Sequence, residues 1–305
     1  MSPPGEGVAT CTSSPFRHKI FMMTVSPELA AKRSVLDNTL RSLGRTLVAY
    51  SGGTDSAFLA WASHQVLGDR MLAVIADCPS LARFQLADAI AFANEQSIPL
   101  ETISTSELER QEYVRNDSAR CFHCKDELFS VMKNFGATRG FETIAYGVNL
   151  DDNSDFRPGQ AAASQHRVAA PFLDARLTKE DVRTLAREAG LRIWDKPASA
   201  CLSSRIEYGR PVTTEALSAV ERGEDALRQF GFRQFRVRHH GEIARIEIAP
   251  DEMPRALSLE MTSKFISVFK ALGFKFVTLD LEGFRSGSMN ALLPADQIAI
   301  GRRQP

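Results

Sequence analysis

The sequence predicts an α/β fold: a parallel sheet with helices on both faces, followed by a smaller α+β unit. Three observations carry that expectation. Short apolar runs with little internal alternation, as strands buried on both faces show, are separated by helical stretches of ten or more residues through the first two thirds of the chain. A glycine turn joins the first such run directly to a helix start. After a small, polar, non-periodic segment near residue 200, the pattern changes to few helices and mostly antiparallel strands.

The elements follow in order. Residues 1–25, rich in Ser, Pro and Gly through Phe21, read as a disordered lead-in with Met22 or Met23 as an alternative start. Pro27 to Leu43 reads as a helix capped by Ser26 and ending near Gly44. Thr46 to Tyr50 is the first buried strand, and a helix opens at Ala57. Strands are expected at Met71–Ala76, Pro99–Ile103 and Thr143–Tyr146, with helices at Leu81–Gln96 and Phe122–Asn134 between them. Lys179 to Ala189 is a helix with Thr178 and Asp181 spaced as a capping box and Gly190 as its stop. Asp195 to Arg205 reads as a loop and the domain junction, dividing residues 26–205 from 206–305. In the second unit, helices are expected at Thr214–Phe230 and Leu259–Leu272, and strands at Gln234–Arg238, Ile243–Ile248 and Phe274–Leu279.

Composition bounds the function. At 305 residues two domains are the default. Lys plus Arg equals Asp plus Glu at 37 each, so no global charge favours nucleic acid or an anionic membrane. No apolar run is long enough to span a bilayer. Five cysteines in a chain of this length make no disulfide scaffold, and their clustering suggests reduced, working thiols in a cytoplasm.

The chemistry concentrates at the carboxyl ends of the expected strands, where parallel sheets bind ligands. In Ser51-Gly52-Gly53-Thr54-Asp55-Ser56, paired glycines let the backbone approach a bulky anion, the helix start supplies N–H groups and a positive dipole end, and three hydroxyls add donors. No Gly-Lys-Ser/Thr follows, so this is not a Walker loop. Asp77-Cys78-Pro79-Ser80 ends the second strand, where the adenosine half of a nucleotide would lie, with Cys78 as a wall residue. Gly147 to Gly159 follows a strand and gathers Asn149, Asp151, Asp152 and Asp155; it suits the Mg²⁺ that accompanies nucleotide phosphates, or is a solvated acidic turn.

Cys121-Phe122-His123-Cys124 places two thiols one helical turn apart, fit for one metal or cluster, a redox pair, or incidental thiols. Cys201 lies in a loop dense with Ser, Ala, Pro and Arg and reads as a nucleophile, a third ligand or a small buried hydrophobe. Lys196, Arg205 and Arg210 are near enough in sequence to stabilise its thiolate. Arg236 and Arg238 share a strand face, with Glu247 and Glu224 on neighbouring elements; they form either an anion pocket or cross-strand ion pairs.

Taken together, Ser51 to Ser56, Arg120 to Lys125, Gly147 to Asp152, Arg157-Pro158-Gly159, Pro197 to Ile206 and Arg236 to Gly241 resemble the LarE family over roughly Pro27 to Leu293. These are ATP-dependent sulfur transferases of nickel-pincer nucleotide biosynthesis, built on a PP-loop domain of adenine nucleotide alpha hydrolase type. The resemblance implies ATP and Mg²⁺ at Ser51, Gly52, Gly53, Asp55, Ser56, Asp77, Ser80, Gly147, Asn149 and Asp152, with Asp55 also catalytic. It implies a pyridinium dicarboxylate mononucleotide at Arg205, Glu224, Arg236, Arg238 and Glu247. Adenylation of a carboxylate releases pyrophosphate, and the residue matching Cys201 displaces AMP. In single-cysteine members that residue is consumed. In three-cysteine members the positions matching Cys121, Cys124 and Cys201 hold a 4Fe-4S cluster that carries a transferable sulfide, and this chain has all three. A sulfide donor and a homo-oligomer are implied as well. Cys78 departs from the serine more usual there. The competing readings are a tRNA-thiolating or amide-forming enzyme of the same superfamily, and a non-enzymatic nucleotide- or zinc-binding module.

Overall fold

The structure, a computed structural model, describes residues 26–154, 158–197, 200–285 and 287–289, without the side chains of Asn153 and Ser154. The lead-in, Asp155 to Arg157, Ala198, Ser199 and the chain beyond Met289 lie outside the described residues.

The first strand, β1 (Thr46–Ala49), is the centre of a parallel sheet with β2 (Met71–Asp77), β3 (Leu100–Ser104) and β4 (Thr143–Tyr146), in the order β3-β2-β1-β4. The register pairs Thr46 with both Met71 and Thr143. Period-two alternation explains why these strands read as continuous apolar runs. Val48, Ala73 and Ile75 enter one core beside the helices α1 (Pro27–Ser42), α2 (Thr54–Leu67) and α3 (Arg83–Glu95). Leu47, Ala49 and Val74 enter another, beneath Phe129, Met132 and Ala162.

Those last residues belong to helices on the second face. The chain from β3 to the second sheet carries α4 (Gln111–Val114), α5 (Arg120–Ala137), α6 (Pro158–Gln165), α7 (Pro171–Asp174) and α8 (Lys179–Glu188). The expected capping box forms: the Thr178 hydroxyl accepts from the Asp181 N–H at 3.1 Å, and the Asp181 carboxylate accepts from the Thr178 N–H at 3.0 Å. Helix α5 is longer than its apolar periodicity suggests, because Arg120 and Cys121 begin it. Three short helices, α4, α6 and α7, went unread in the sequence; four to eight residues give too few repeats for a helical period.

Beyond Arg205 the chain forms α9 (Thr214–Gln229), β5 (Phe235–His240), β6 (Ile243–Ile248), α10 (Met253–Ala256), α11 (Leu259–Ala271) and β7 (Phe276–Leu279). The expectation of mostly antiparallel strands needs correction. β5 and β6 form a hairpin, but β7 pairs parallel to β6, since α11 carries the chain back across the sheet before it begins. Val237, Ile246 and Ile248 face Phe265 and Phe269, leaving Arg236, Arg238, Arg245 and Glu247 on the opposite face.

The segment between the sheets is packed. Tyr113, Leu202, Ile206, Leu217 and Val220 make one apolar cluster that spans α4, the Cys201 segment and α9. Asn116, at φ +57° and fully buried, donates to the carbonyls of Glu207 and Arg210 at 2.9 Å each.

Candidate active site

The phosphate-type loop leaves β1 and enters α2 through Gly52, at φ +71°. A Cβ on Gly52 would lie 2.5 Å from the Ala89 Cβ of α3, so both the turn and the packing require glycine. Gly147 is pressed as closely: a Cβ there would lie 2.9 Å from the backbone of Asp55 and Ser56. The two strand-end loops are thereby in backbone contact. No side chain caps α2, whose first-turn N–H groups and dipole therefore face the loop's concavity. The hydroxyls of Ser51 and Ser56 lie 3.0 Å apart at its mouth. Thr54, expected to add a third donor, is buried, and its hydroxyl donates to the Ile193 carbonyl at 2.9 Å.

Asp55 sits on the first turn of α2, where Asn149 Nδ2 donates to its carboxylate at 3.1 Å. Burial, together with the nearby Asp152 carboxylate, pushes the Asp55 pKa up, against the opposing pull of Asn149 and Lys179. Asp152 is itself buried and accepts the Asn149 N–H at 3.2 Å. Two oxygen-rich side chains thus crowd one point beside the α2 N-terminus.

Of the expected adenosine-side residues, Asp77 ends β2 and is paired with Arg83. Ser80 is corrected. It is buried, with its hydroxyl 2.6 Å from the Tyr113 hydroxyl and donating to Glu107 at 3.1 Å, while its carbonyl accepts the Leu202 N–H at 2.8 Å. It therefore fastens the Cys201 segment to β2, with its hydroxyl and carbonyl both engaged within the protein. Burial and Glu107 push the Cys78 thiol up to about 12, in keeping with a wall residue.

Cys201 is half-buried at the start of a helical turn, Leu202–Arg205, with its Sγ 3.0 Å from the Ser203 hydroxyl. Arg205 Nη1 donates to the carbonyls of Ala200 at 2.6 Å and Cys201 at 2.8 Å. Burial opposes ionisation of Cys201, but Arg120, the Ser203 hydroxyl and Arg205 outweigh it and hold the thiol below its ordinary value. Cys121 and Cys124 shift the other way. Burial raises both, and the charge of Cys201 raises each further. Cys121 and Cys124, both on α5, are therefore within electrostatic reach of Cys201, which arrives from a separate segment. Among the described residues, no three Cys, His, Asp or Glu side chains are drawn together as a site for a single metal ion.

The cation that matters at Cys201 was missed in the sequence. Arg120 is buried, donates to the Ser203 carbonyl at 2.9 Å and to Asn116, and lies 5.5 Å from the centre of the Tyr208 ring. Its place immediately before Cys121 was the available signal. Of the cations that were expected, Lys196 is engaged by Gly52 and Asp88, and Arg210 by Glu207. A cavity of about 180 Å³ opens between Arg120, Cys121, Pro158, Ser204 and Tyr208.

The second-unit residues also converge. Arg205 and Glu224 form a buried ion pair at 2.9 Å, and Arg238 and Glu247 another at 2.7 Å. Arg238 also donates to the Ser204 carbonyl at 3.4 Å. Burial and the charges of Arg205 and Arg238 press the Arg236 pKa down to about 10, against the opposing pull of Glu224. Among the described residues, the Nε atoms of Arg238 and Arg245 are buried without a hydrogen-bond partner.

No protein-family model matches the chain. Comparison with curated proteins does find relatives. The chain is 34% identical over 272 residues to the pyridinium-3,5-bisthiocarboxylic acid mononucleotide synthase of Lactiplantibacillus plantarum, covering 89% of this chain and 98% of that one. The chain belongs to the LarE family. It is also 38% identical over 265 residues to an uncharacterised protein of Synechocystis, covering 87% and 99% of the two chains. An uncharacterised protein of Methanocaldococcus jannaschii is 28% identical over 242 residues, covering 79% and 91%. The four-stranded parallel sheet with its loop at Ser51–Ser56 is consistent with a PP-loop domain.

Proposed function

We propose that the protein adenylates a carboxylate of a pyridinium dicarboxylate mononucleotide with ATP and converts it to a thiocarboxylate, as an enzyme of nickel-pincer nucleotide biosynthesis. The supporting observation is that the Cys201 segment is strapped across the sheet edge onto the phosphate loop. Lys196 Nζ donates to the Gly52 carbonyl at 2.8 Å, Thr54 to the Ile193 carbonyl at 2.9 Å, and the Leu202 N–H to the Ser80 carbonyl at 2.8 Å. The segment that carries Cys201 is thus tied at Lys196 to the phosphate loop and at Leu202 to the end of β2, which supports a two-stage reaction on one bound acceptor.

In the first stage the acceptor carboxylate attacks the α-phosphorus, and the bond to the β-phosphate oxygen breaks. The α2 N-terminus and the hydroxyls of Ser51 and Ser56 receive the phosphates. Asp55 and Asp152 fit Mg²⁺: two crowded carboxylates, one with a raised pKa, are the donor set that a hard dication stabilises. Mg²⁺ would neutralise the charge of the phosphates there. Arg236, Arg238 and Arg245, with two unpartnered buried Nε atoms, suit the acceptor's phosphate or carboxylate. Arg205 and Glu224, held to each other, shape that pocket and the backbone at Cys201.

In the second stage a sulfide attacks the acyl carbon and AMP departs, leaving the thiocarboxylate. The three cysteines, with no fourth ligand evident beside them in the sequence, would suit a cluster with an open iron better than closed zinc, although among the described residues they are not gathered as a ready metal site. Cys121, Cys124 and Cys201 would hold that cluster, which would supply a sulfide derived from an external donor. One observation favours a second reading. Cys201 alone of the three has a lowered pKa, which suits a single nucleophile. Its thiolate would displace AMP to form a thioester, and loss of its Cα proton with cleavage of Cβ–S would then leave the sulfur on the product and dehydroalanine in the chain. Membership of a synthase family displaces the non-enzymatic module.

Among the described residues no helix is long and apolar enough to cross a membrane; the cytoplasmic setting rests on the reduced thiols that the chemistry needs. The test is acceptor-dependent pyrophosphate release by the wild type and by Cys201→Ser. Both release pyrophosphate on this reading, and only the wild type forms thiocarboxylate. Release stimulated instead by tRNA or ammonia would replace it with the related superfamily reactions.

A further inference from the structure

The phosphate loop of this chain contains no lysine between Ser51 and Ser56. An ammonium nevertheless reaches it from elsewhere in the chain. Lys196 Nζ donates to the Gly52 carbonyl at 2.8 Å and to Asp88 Oδ2 at 2.5 Å. The root of the side chain is fixed, since the Lys196 N–H donates to the Ile193 carbonyl at 3.2 Å and its carbonyl accepts from Arg183 Nη2 at 3.0 Å. Asp88 precedes Ala89, the residue against which Gly52 is wedged, so carboxylate, ammonium and loop form one contact.

Asp88 has a second cation. Arg192 Nη1 donates to its other oxygen at 2.7 Å, and Arg192 is anchored in turn to Glu95 at 2.8 Å. Loss of the ammonium would leave Asp88 still paired and about a third exposed to water. That makes a change of partner inexpensive, which would not hold for a carboxylate left buried and alone. A triphosphate in the loop carries far more charge than one carboxylate and would lie within a side-chain rotation of the Gly52 carbonyl.

We propose that Lys196 is the phosphate-binding cation of this loop, held on Asp88 in the free protein and passed to a phosphate oxygen of the nucleotide when it binds. The assignment rests on the reading of the loop as an ATP site. It gives Lys196 a role other than support of the Cys201 thiolate.

Calorimetric titration of the full chain with Mg-ATP and with adenosine separates the two layers. Failure of the wild type to bind Mg-ATP would remove the ATP site itself. With binding established, Lys196→Met should weaken Mg-ATP about tenfold or more, the size of a lost charge-assisted hydrogen bond, while adenosine affinity stays constant. Lys196→Arg should recover part of the loss. Unchanged Mg-ATP affinity, or equal losses for both ligands, would overturn the assignment. Asp88→Asn gives an independent reading should Lys196→Met fail to fold. Releasing the ammonium from its resting partner should tighten Mg-ATP severalfold, whereas a purely structural strap loosened by the same change would weaken it or leave it unaltered, and either of those results overturns the proposal.

Discussion

Asp55 shows what the site costs the free protein. Its pKa is raised by burial and by Asp152, so the native state holds its proton more tightly than the unfolded chain. The stability it contributes is present below the ordinary carboxylate range and is lost as pH rises through the raised value. Above that raised value the nucleotide-free protein carries a poorly solvated charge. Asp55→Asn should raise Tm by a few degrees at pH 7 and abolish pyrophosphate release, with the Tm gain shrinking on acidification. A melting series from pH 4 to 7 on wild type and variant checks the sign; a variant less stable at pH 7 would contradict it. Arg205 illustrates the opposite balance. Its guanidinium is spent on Glu224 and on two carbonyls of the Cys201 segment, and removing it would strand a buried carboxylate at about 3–5 kcal/mol.

At the scale of elements, the loop between β1 and α2 depends on the one conformation that Gly52 allows. Gly52→Ala would place a methyl 2.5 Å from the Ala89 Cβ at φ +71°, where an L-residue already costs about 1–2 kcal/mol. The backbone must move away from α3. Mg-ATP affinity should fall more than tenfold while far-UV circular dichroism stays unchanged, and intact affinity would show that the loop does not cradle phosphate. The same contrast explains what the sequence discloses. Strands β1, β2 and β4, the capping box of α8 and the glycine loop are legible because each is set by local pattern: apolar runs, a cap spacing, paired glycines. Arg120 and Tyr113 were not legible as companions of Cys201, because folding brings them there from far along the chain, and Tyr208, close in sequence, belongs to no pattern that marks it. Ser80 and Thr54 looked like ligand donors for the converse reason. Sequence shows a hydroxyl but not which buried group already claims it.

Across the whole molecule, the two sheets are joined by a polar knot beneath a shared apolar cluster. Asn116 holds Glu207 and Arg210 and orients Arg120, while Val212 donates to the Val114 carbonyl at 2.9 Å. Asn116→Ala would remove the donor shared by the carbonyls of Ile206, Glu207 and Arg210, at about 1–3 kcal/mol in all, and release Arg120 from one anchor. Lower stability in denaturant and slower thiocarboxylate formation should appear together, with Mg-ATP affinity preserved because the side-chain hydrogen bonds of Asn116 go to Ile206, Glu207, Arg210 and Arg120 and not to the phosphate loop. Loss of ATP binding in equal measure would mean that the knot serves the fold as a whole. The central claim is that one chain joins ATP cleavage to sulfur transfer. Its most direct test is mass spectrometry of the pyridinium dicarboxylate mononucleotide after anaerobic incubation with the protein, Mg-ATP and sulfide. The account predicts replacement of a carboxylate oxygen by sulfur, matched by AMP and pyrophosphate. AMP and pyrophosphate with an unaltered acceptor would contradict it.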